Sequence, residues 1–190
     1  YSRIIKMLSV ANGELVVEEK GIYSLEKFLI ARRLMYGQVY LHKTVLAAEN
    51  MLVKIIERAR LLHKRNSLQL VPASFRYFME NEIKEDELIK DPLTLLYKFA
   101  DLDDIDILAA IKGWQHEADR LLSFLCNALI NRQLFKLKFH DSPMSMELKA
   151  KKKKQVEEWW QGNEEEIPFL IFEGKESNHA YSYSQEEIKI

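Results

Sequence analysis

Arg32, Tyr36, Tyr40 and Lys43 lie in one long segment that is poor in Gly and Pro. If that segment is an α-helix turning about 100° per residue, the four fall within an arc of about 80°. One stripe would then carry two cations and two phenols. Arg presents a planar fork of donors to phosphate oxygens and Lys a point charge, while Tyr gives a flat apolar face with a hydroxyl at its edge. A triphosphate carried on a sugar suits such a stripe. The competing reading needs no ligand, because Arg and Tyr on a long helix also make inter-helix ion pairs and core contacts.

Other clusters read more plainly. Asp101, Asp103, Asp104 and Asp106 could offer carboxylate oxygens to a hard cation. No Gly or closing Glu follows at calcium-loop spacing, so a helix N-terminal cap is expected instead. His140-Asp141, just before Ser142-Pro143, reads as an exposed loop, and His116 with Glu117 and Asp119 as a surface triplet. His63 with Lys64 and Arg65 reads as the basic last turn of a helix. Lys149 and Lys151 to Lys154 precede Glu157, Glu158, Trp159 and Trp160. Phosphate attraction plus indole stacking would draw nucleic acid. The expected role is instead a solvated helix whose Trp pair anchors it to a β element, with Glu164 to Glu166 offsetting the charge, and nucleic acid is not an expected partner.

The elements that must position these residues follow from pattern and punctuation. Tyr1 to Val10 reads as a helix end, and Asn12-Gly13 as a turn leading into a short hairpin through Glu14 to Glu18. From Ser24, as N-cap, to Arg65 one helix is expected, about 60 Å long at ~1.5 Å per residue and bent at Gly37. Its apolar residues are spread over several faces, as in a helix packed centrally or between subunits. Helices are expected over Ala73 to Glu80, over Pro92 to Ala100 behind an Asp91 cap, from Asp101–Asp104 to near Gly113, over Glu117 to Arg132 and over Ser145 to Trp160. Strands are expected over Leu134 to Phe139, Ile167 to Phe172 and Ala180 to Ile190. The fold class is therefore mainly α, with a small β element at the C-terminal end and a short N-terminal hairpin. Residues 1–133 form the expected helical part and 134–190 a small α+β subdomain.

Composition narrows the classes. The 190 residues are 47% hydrophobic and 30% charged, with a formal net charge of −1, so no global charge draws the chain to nucleic acid or an anionic membrane. Cys126 is the single cysteine, which excludes an internal disulfide and a thiolate zinc site and fits a cytoplasmic protein. No apolar run approaches the roughly 20 residues of a membrane span. The chain opens on Tyr1 inside an apolar-periodic segment and closes in an alternating run, and is read as a piece of a longer polypeptide.

Three stretches together resemble a known family: Tyr23 to Thr44 with its Tyr40, His42 and Lys43, then Leu102-Asp103-Asp104-Ile105-Asp106, then Asn131-Arg132-Gln133-Leu134-Phe135-Lys136. They resemble HD-superfamily phosphohydrolases of the deoxynucleoside triphosphate triphosphohydrolase type, in the part that follows the metal-binding core. The resemblance implies an HD-like helical array and a parent that uses a divalent metal on a nucleotide. It implies that the residue matching Arg32 meets phosphate, that Tyr40 packs on the sugar and that His42 lies near the same pocket, while Lys43 remains a candidate on the strength of the stripe. Leu41 stands where members carry a polar residue that meets the base, which leaves the base undefined. Asn131, Arg132 and Lys136 are expected to brace a helix-to-strand junction or a subunit contact. The family's His, His-Asp and Asp metal ligands are not among the matched residues, so no catalytic or metal-binding residue and no resident cofactor are assigned to this chain. The parent's partners are expected to be a nucleotide and further copies of itself, and the alternative is a non-catalytic helical oligomerisation module.

Overall fold

The computed structural model describes residues 2–65, 68, 71–83, 91–140, 142 and 144–174. It is mainly helical, with one small antiparallel sheet among the described residues. Two compact units divide the chain, one containing the described residues up to Leu46 and the other Ala47–Glu173.

In the first unit, α1 (Ser2–Ile5) leads into β1 (Leu8–Ala11), which pairs with β2 (Glu14–Val17) in the register Ala11↔Glu14 and Leu8↔Val17. The expected hairpin is thus present. Asn12 and Gly13 both take positive φ, 54° and 79°, as a two-residue turn matched to strand twist requires. Behind it Gly21 is packed so closely that a Cβ there would lie 2.9 Å from Met7 and 3.0 Å from Val17. Next comes α2 (Ile22–Met35), which starts two residues before Ser24 and has Gly21 at its N-cap.

The single long helix expected from Ser24 to Arg65 is divided. A π turn over Tyr36–Tyr40 widens the ladder, so that Leu41 N–H donates to the Tyr36 carbonyl five residues back at 2.8 Å. Then α3 (Lys43–Lys64) begins afresh. His42 is the reason it can: its carbonyl accepts from Leu46 N–H at 3.1 Å while its Nδ1 accepts from Thr44 N–H at 3.2 Å, doing the work of an N-cap. A histidine competing for backbone donors is a weak signal in a sequence otherwise favourable to helix.

The second unit has the main core. Ile55, Ala59 and Leu62 of α3 meet Phe75 and Met79 of α4 (Ala73–Glu80), Ile111 and Trp114 of α6 (Asp104–Trp114), and Leu121, Leu122 and Leu125 of α7 (Arg120–Ile130). Between them α5 (Pro92–Ala100) starts as expected, with Asp91 accepting from Thr94 N–H at 3.2 Å and Pro92 in the first turn. The end of α7 is closed by Arg132 at φ 57°, whose N–H donates to Leu129 while Gln133 N–H reaches Ala128, at 3.1 and 2.8 Å. This pair of bonds satisfies the last carbonyls of the helix.

Two expected strands are corrected. Leu134 to Phe139 runs without secondary structure and pairs into no sheet among the described residues, and Phe135 N–H meets the Met51 sulfur at 3.3 Å. Ile167 to Phe172 begins as the short α9 (Ile167–Leu170), because Ile167, Phe169 and Leu170 are all buried and an apolar run this short fits either structure. Its start is set by Asn163 and Glu166 in a reciprocal cap ahead of the 3₁₀ turn Glu164–Glu166. The third expected strand, Ala180 to Ile190, lies outside the described residues. Residues of α8 (Met146–Trp160) and α9 join the same core as the helices before them, through Trp160, Ile167, Phe169 and Leu170.

Candidate functional site

Helical spacing places Arg32, Tyr36 and Tyr40 in one ladder. The Arg32 guanidinium carbon lies 5.7 Å from the Tyr36 ring centroid, and the Tyr36 and Tyr40 centroids are 5.2 Å apart with planes inclined by 56°. Cation-π attraction at such a distance steers the guanidinium without consuming its five N–H donors. Arg32 and Tyr40 are exposed and Tyr36 is half-buried, so the middle ring braces the two outer groups. π turns of this kind recur at functional sites, where the extra residue re-aims a side chain.

The other two candidates are placed differently. Lys43 does not continue the α2 stripe, because the π turn and the break intervene and Lys43 is the first residue of α3. His42 sits at the junction with its Nδ1 turned to the Thr44 N–H. Only the Nε2 side of that ring is left to meet a ligand.

The remaining polar clusters have structural roles or none. Asp103 accepts from Ile105 and Asp106 N–H at 2.8 and 3.1 Å, and Asp106 accepts from Asp103 N–H, which is the expected cap of α6. His140 is exposed, and Asp141 lies outside the described residues. His63 meets Glu80 at 3.2 Å. Of the lysine run, Lys149 pairs with Glu173, Lys153 with Glu157 and Glu164, and Lys154 with Glu158, so much of its charge is offset locally. The thiol of Cys126 is buried, and burial pushes its pKa up to about 12, which leaves it inert as a nucleophile at neutral pH.

One network was not visible in the sequence. Arg58, buried on α3, makes a two-pronged contact with Asp119, Nε to Oδ1 at 3.1 Å and Nη2 to Oδ2 at 2.6 Å. Asp119 also caps α7 through Leu122 N–H at 2.8 Å, so the expected surface triplet of His116, Glu117 and Asp119 is split, with Asp119 drawn into the core. Glu166 lies 3.7 Å from Arg58 and accepts the Trp160 indole N–H at 2.6 Å. Burial would raise the Asp119 carboxyl, but the Arg58 hydrogen bonds, the Leu122 N–H and the Arg58 charge outweigh it and hold the group below its ordinary value. The Asp119 hydrogen bonds raise the Arg58 guanidinium against the opposing effect of burial. This network braces helices and performs no chemistry.

Among the described residues no three His, Cys, Asp or Glu side chains gather as the ligands of a metal ion would. Among them, too, no helix is long and apolar enough to cross a membrane.

Comparison with known proteins converges with this picture. Residues 1–73 match the family described as the HD associated region. The uncharacterized protein YwfO of Bacillus subtilis is 32% identical over 134 residues, covering 70% of this chain and 28% of YwfO. The uncharacterized protein MG461 of Mycoplasma genitalium is 28% identical over 146 residues, covering 73% of this chain and 33% of its own. The chain thus spans about a third of the curated relatives it matches. Among solved structures, a phosphohydrolase from Bacteroides thetaiotaomicron superposes with a TM-score of 0.79 at 39% identity, over 88% of this chain and 42% of the other. Residues 1–73 thus carry an HD associated region, and the chain resembles a solved phosphohydrolase in both sequence and fold.

Proposed function

We propose that this chain is the segment following the metal core of an HD-superfamily phosphohydrolase that acts on nucleotides, with a deoxynucleoside triphosphate as the substrate class. The observation that carries this reading is the Arg32, Tyr36, Tyr40 ladder, held at a π turn inside the HD associated region. Arg32 binds a phosphate with the fork that Tyr36 steadies, Tyr40 offers its face to the sugar, and His42 and Lys43 border the same ligand from the start of α3. These residues bind and orient, and the divalent metal, held by residues elsewhere in the parent, supplies the activation of water or phosphate.

The test is turnover by the full-length parent with a divalent metal and a mixed deoxynucleotide pool. Metal-dependent release of triphosphate or phosphate is expected, and Arg32→Ala lowers kcat/KM by roughly 10- to 100-fold, the worth of one or two charge-assisted hydrogen bonds. Release that is absent from the folded parent, or unchanged in both Arg32→Ala and Tyr40→Ala, would refute the reading.

A second reading, that the segment serves as an oligomerisation scaffold, is favoured by α2 itself. None of its residues is buried, and Tyr23, Ile30, Leu34 and Met35 are all exposed on it. Sedimentation of the parent separates the two, because a scaffold alone yields oligomers that release nothing.

A further inference from the structure

The paired indoles at the end of α8 have opposite fates. Trp160 is buried and bonded to Glu166, whereas Trp159 is 60% exposed. The Trp159 ring centroid lies 5.6 Å from that of Phe124, edge-on, and 5.7 Å from that of Trp160. Arg120, at the start of α7, stacks its guanidinium carbon 4.1 Å from the Trp160 centroid. Together with Glu117 and Ser123 these side chains line an open cleft of about 400 Å³.

Anchoring of α8 accounts for Trp160 and leaves Trp159 unexplained. It also leaves the Arg120 donors unused: the guanidinium carbon lies over the Trp160 ring, and among the described residues no oxygen accepts from it. A fork of donors thus lines the same cleft as the exposed Trp159 ring. One helical face back from Trp159 lie Gln155 and Lys152, at i−4 and i−7. The Lys152 ammonium donates to the Gln155 amide oxygen at 3.2 Å and has no carboxylate partner among the described residues, unlike Lys149, Lys153 and Lys154. Glu117 also lines the cleft, with a carboxylate that has no partner among the described residues and can accept N–H donors.

We propose that this cleft binds a nucleotide. The base stacks on the exposed face of Trp159, the phosphate takes the Arg120 fork with Lys152 adding attraction, and an amino group of the base donates to Glu117. A planar ring, an anion and N–H donors on one small molecule match the three features of the cleft. A nucleic acid strand carries the same chemistry, but the Glu117 carboxylate repels a run of phosphates, so the site favours the mononucleotide. It lies in the second compact unit, outside the HD associated region, and the reading does not depend on the Arg32 ladder.

Titrating this chain with AMP while following indole emission tests the site. Trp114 and Trp160 are buried, so quenching reports mainly on Trp159. Saturable quenching is expected, with adenosine and inorganic phosphate each binding at least about tenfold more weakly than AMP. Calorimetry should find AMP binding retained in Trp159→Phe, lost in Trp159→Leu, and weakened about tenfold in Arg120→Lys, which keeps the charge and removes the fork. Circular dichroism melts confirm that each variant is folded. Absence of saturable binding by AMP, or binding that survives both Trp159→Leu and Arg120→Leu, overturns the proposal. An oligodeoxyadenylate that binds far more tightly per nucleotide than AMP overturns it in favour of a strand.

Discussion

Asp119 belongs to two elements at once, accepting from the first turn of α7 and from Arg58 on α3. Replacing it with Ala leaves the buried Arg58 charge with only the longer, 3.7 Å contact to Glu166, and should cost about 3 kcal/mol in urea denaturation. The Asp119 carboxyl titrates lower in the folded chain than in the unfolded one. Its contribution is therefore present above the unfolded value of about 3.9 and is lost as pH falls through the lower folded value. Asp119→Asn should flatten the acid limb of the stability curve below about pH 4 relative to the parent sequence. Gly162 offers a second test at this scale, since a Cβ there would press on the Trp160 indole nitrogen and the Glu166 carboxylate. Gly162→Ala should cost about 2 kcal/mol and alter the near-UV signal of Trp160, while far-UV helicity holds.

Among the elements, the junction between α2 and α3 has the clearest expectation. His42→Asn keeps an oxygen for the Thr44 N–H and should preserve stability, whereas His42→Ala should lose about 1 kcal/mol, read from thermal melts. At the other end of the core, Arg132 occupies a left-handed position with an exposed side chain. Arg132→Gly should match or exceed the parent in stability, and Arg132→Val should fall by about 1 kcal/mol. Elements were legible where periodicity and punctuation agreed, as in the Asn12-Gly13 hairpin, the Asp91-Pro92 start of α5 and the acidic cap of α6. They were illegible where tertiary burial decided. Nothing local in Ile167 to Phe172 separates a buried turn of helix from a strand, and Leu134 to Phe139 has strand composition without a neighbour to pair with among the described residues. The break at His42 was hidden because a ring nitrogen replaced the usual capping oxygen. Of the candidate stripe, Arg32, Tyr36 and Tyr40 remain neighbours across the π turn, whereas Lys43 opens the next helix and leaves the stripe. The unequal fates of Trp159 and Trp160 could not be read, because adjacent residues on a helix differ only by which face the rest of the fold covers.

At the scale of the whole molecule, apolar surface is the dominant feature. Besides α2, the second unit exposes Leu93, Leu96, Tyr97 and Phe99 on α5 and Ile105 and Leu108 on α6. Faces of this kind mark protein contacts. Under the proposed function they belong against the remainder of the parent or another copy of it, so the 190-residue chain alone should self-associate in sedimentation and bind a hydrophobic dye. The longer parent should bind less dye per mass. The double engagement of Asp119 has one more consequence. The first turn of α7 cannot fray without also severing the link to α3, so a motion that is ordinarily local becomes one shared with the core. Hydrogen exchange at the Leu122 amide should accordingly be as slow as at the centre of α3, and should speed up at both places together when Arg58 is replaced.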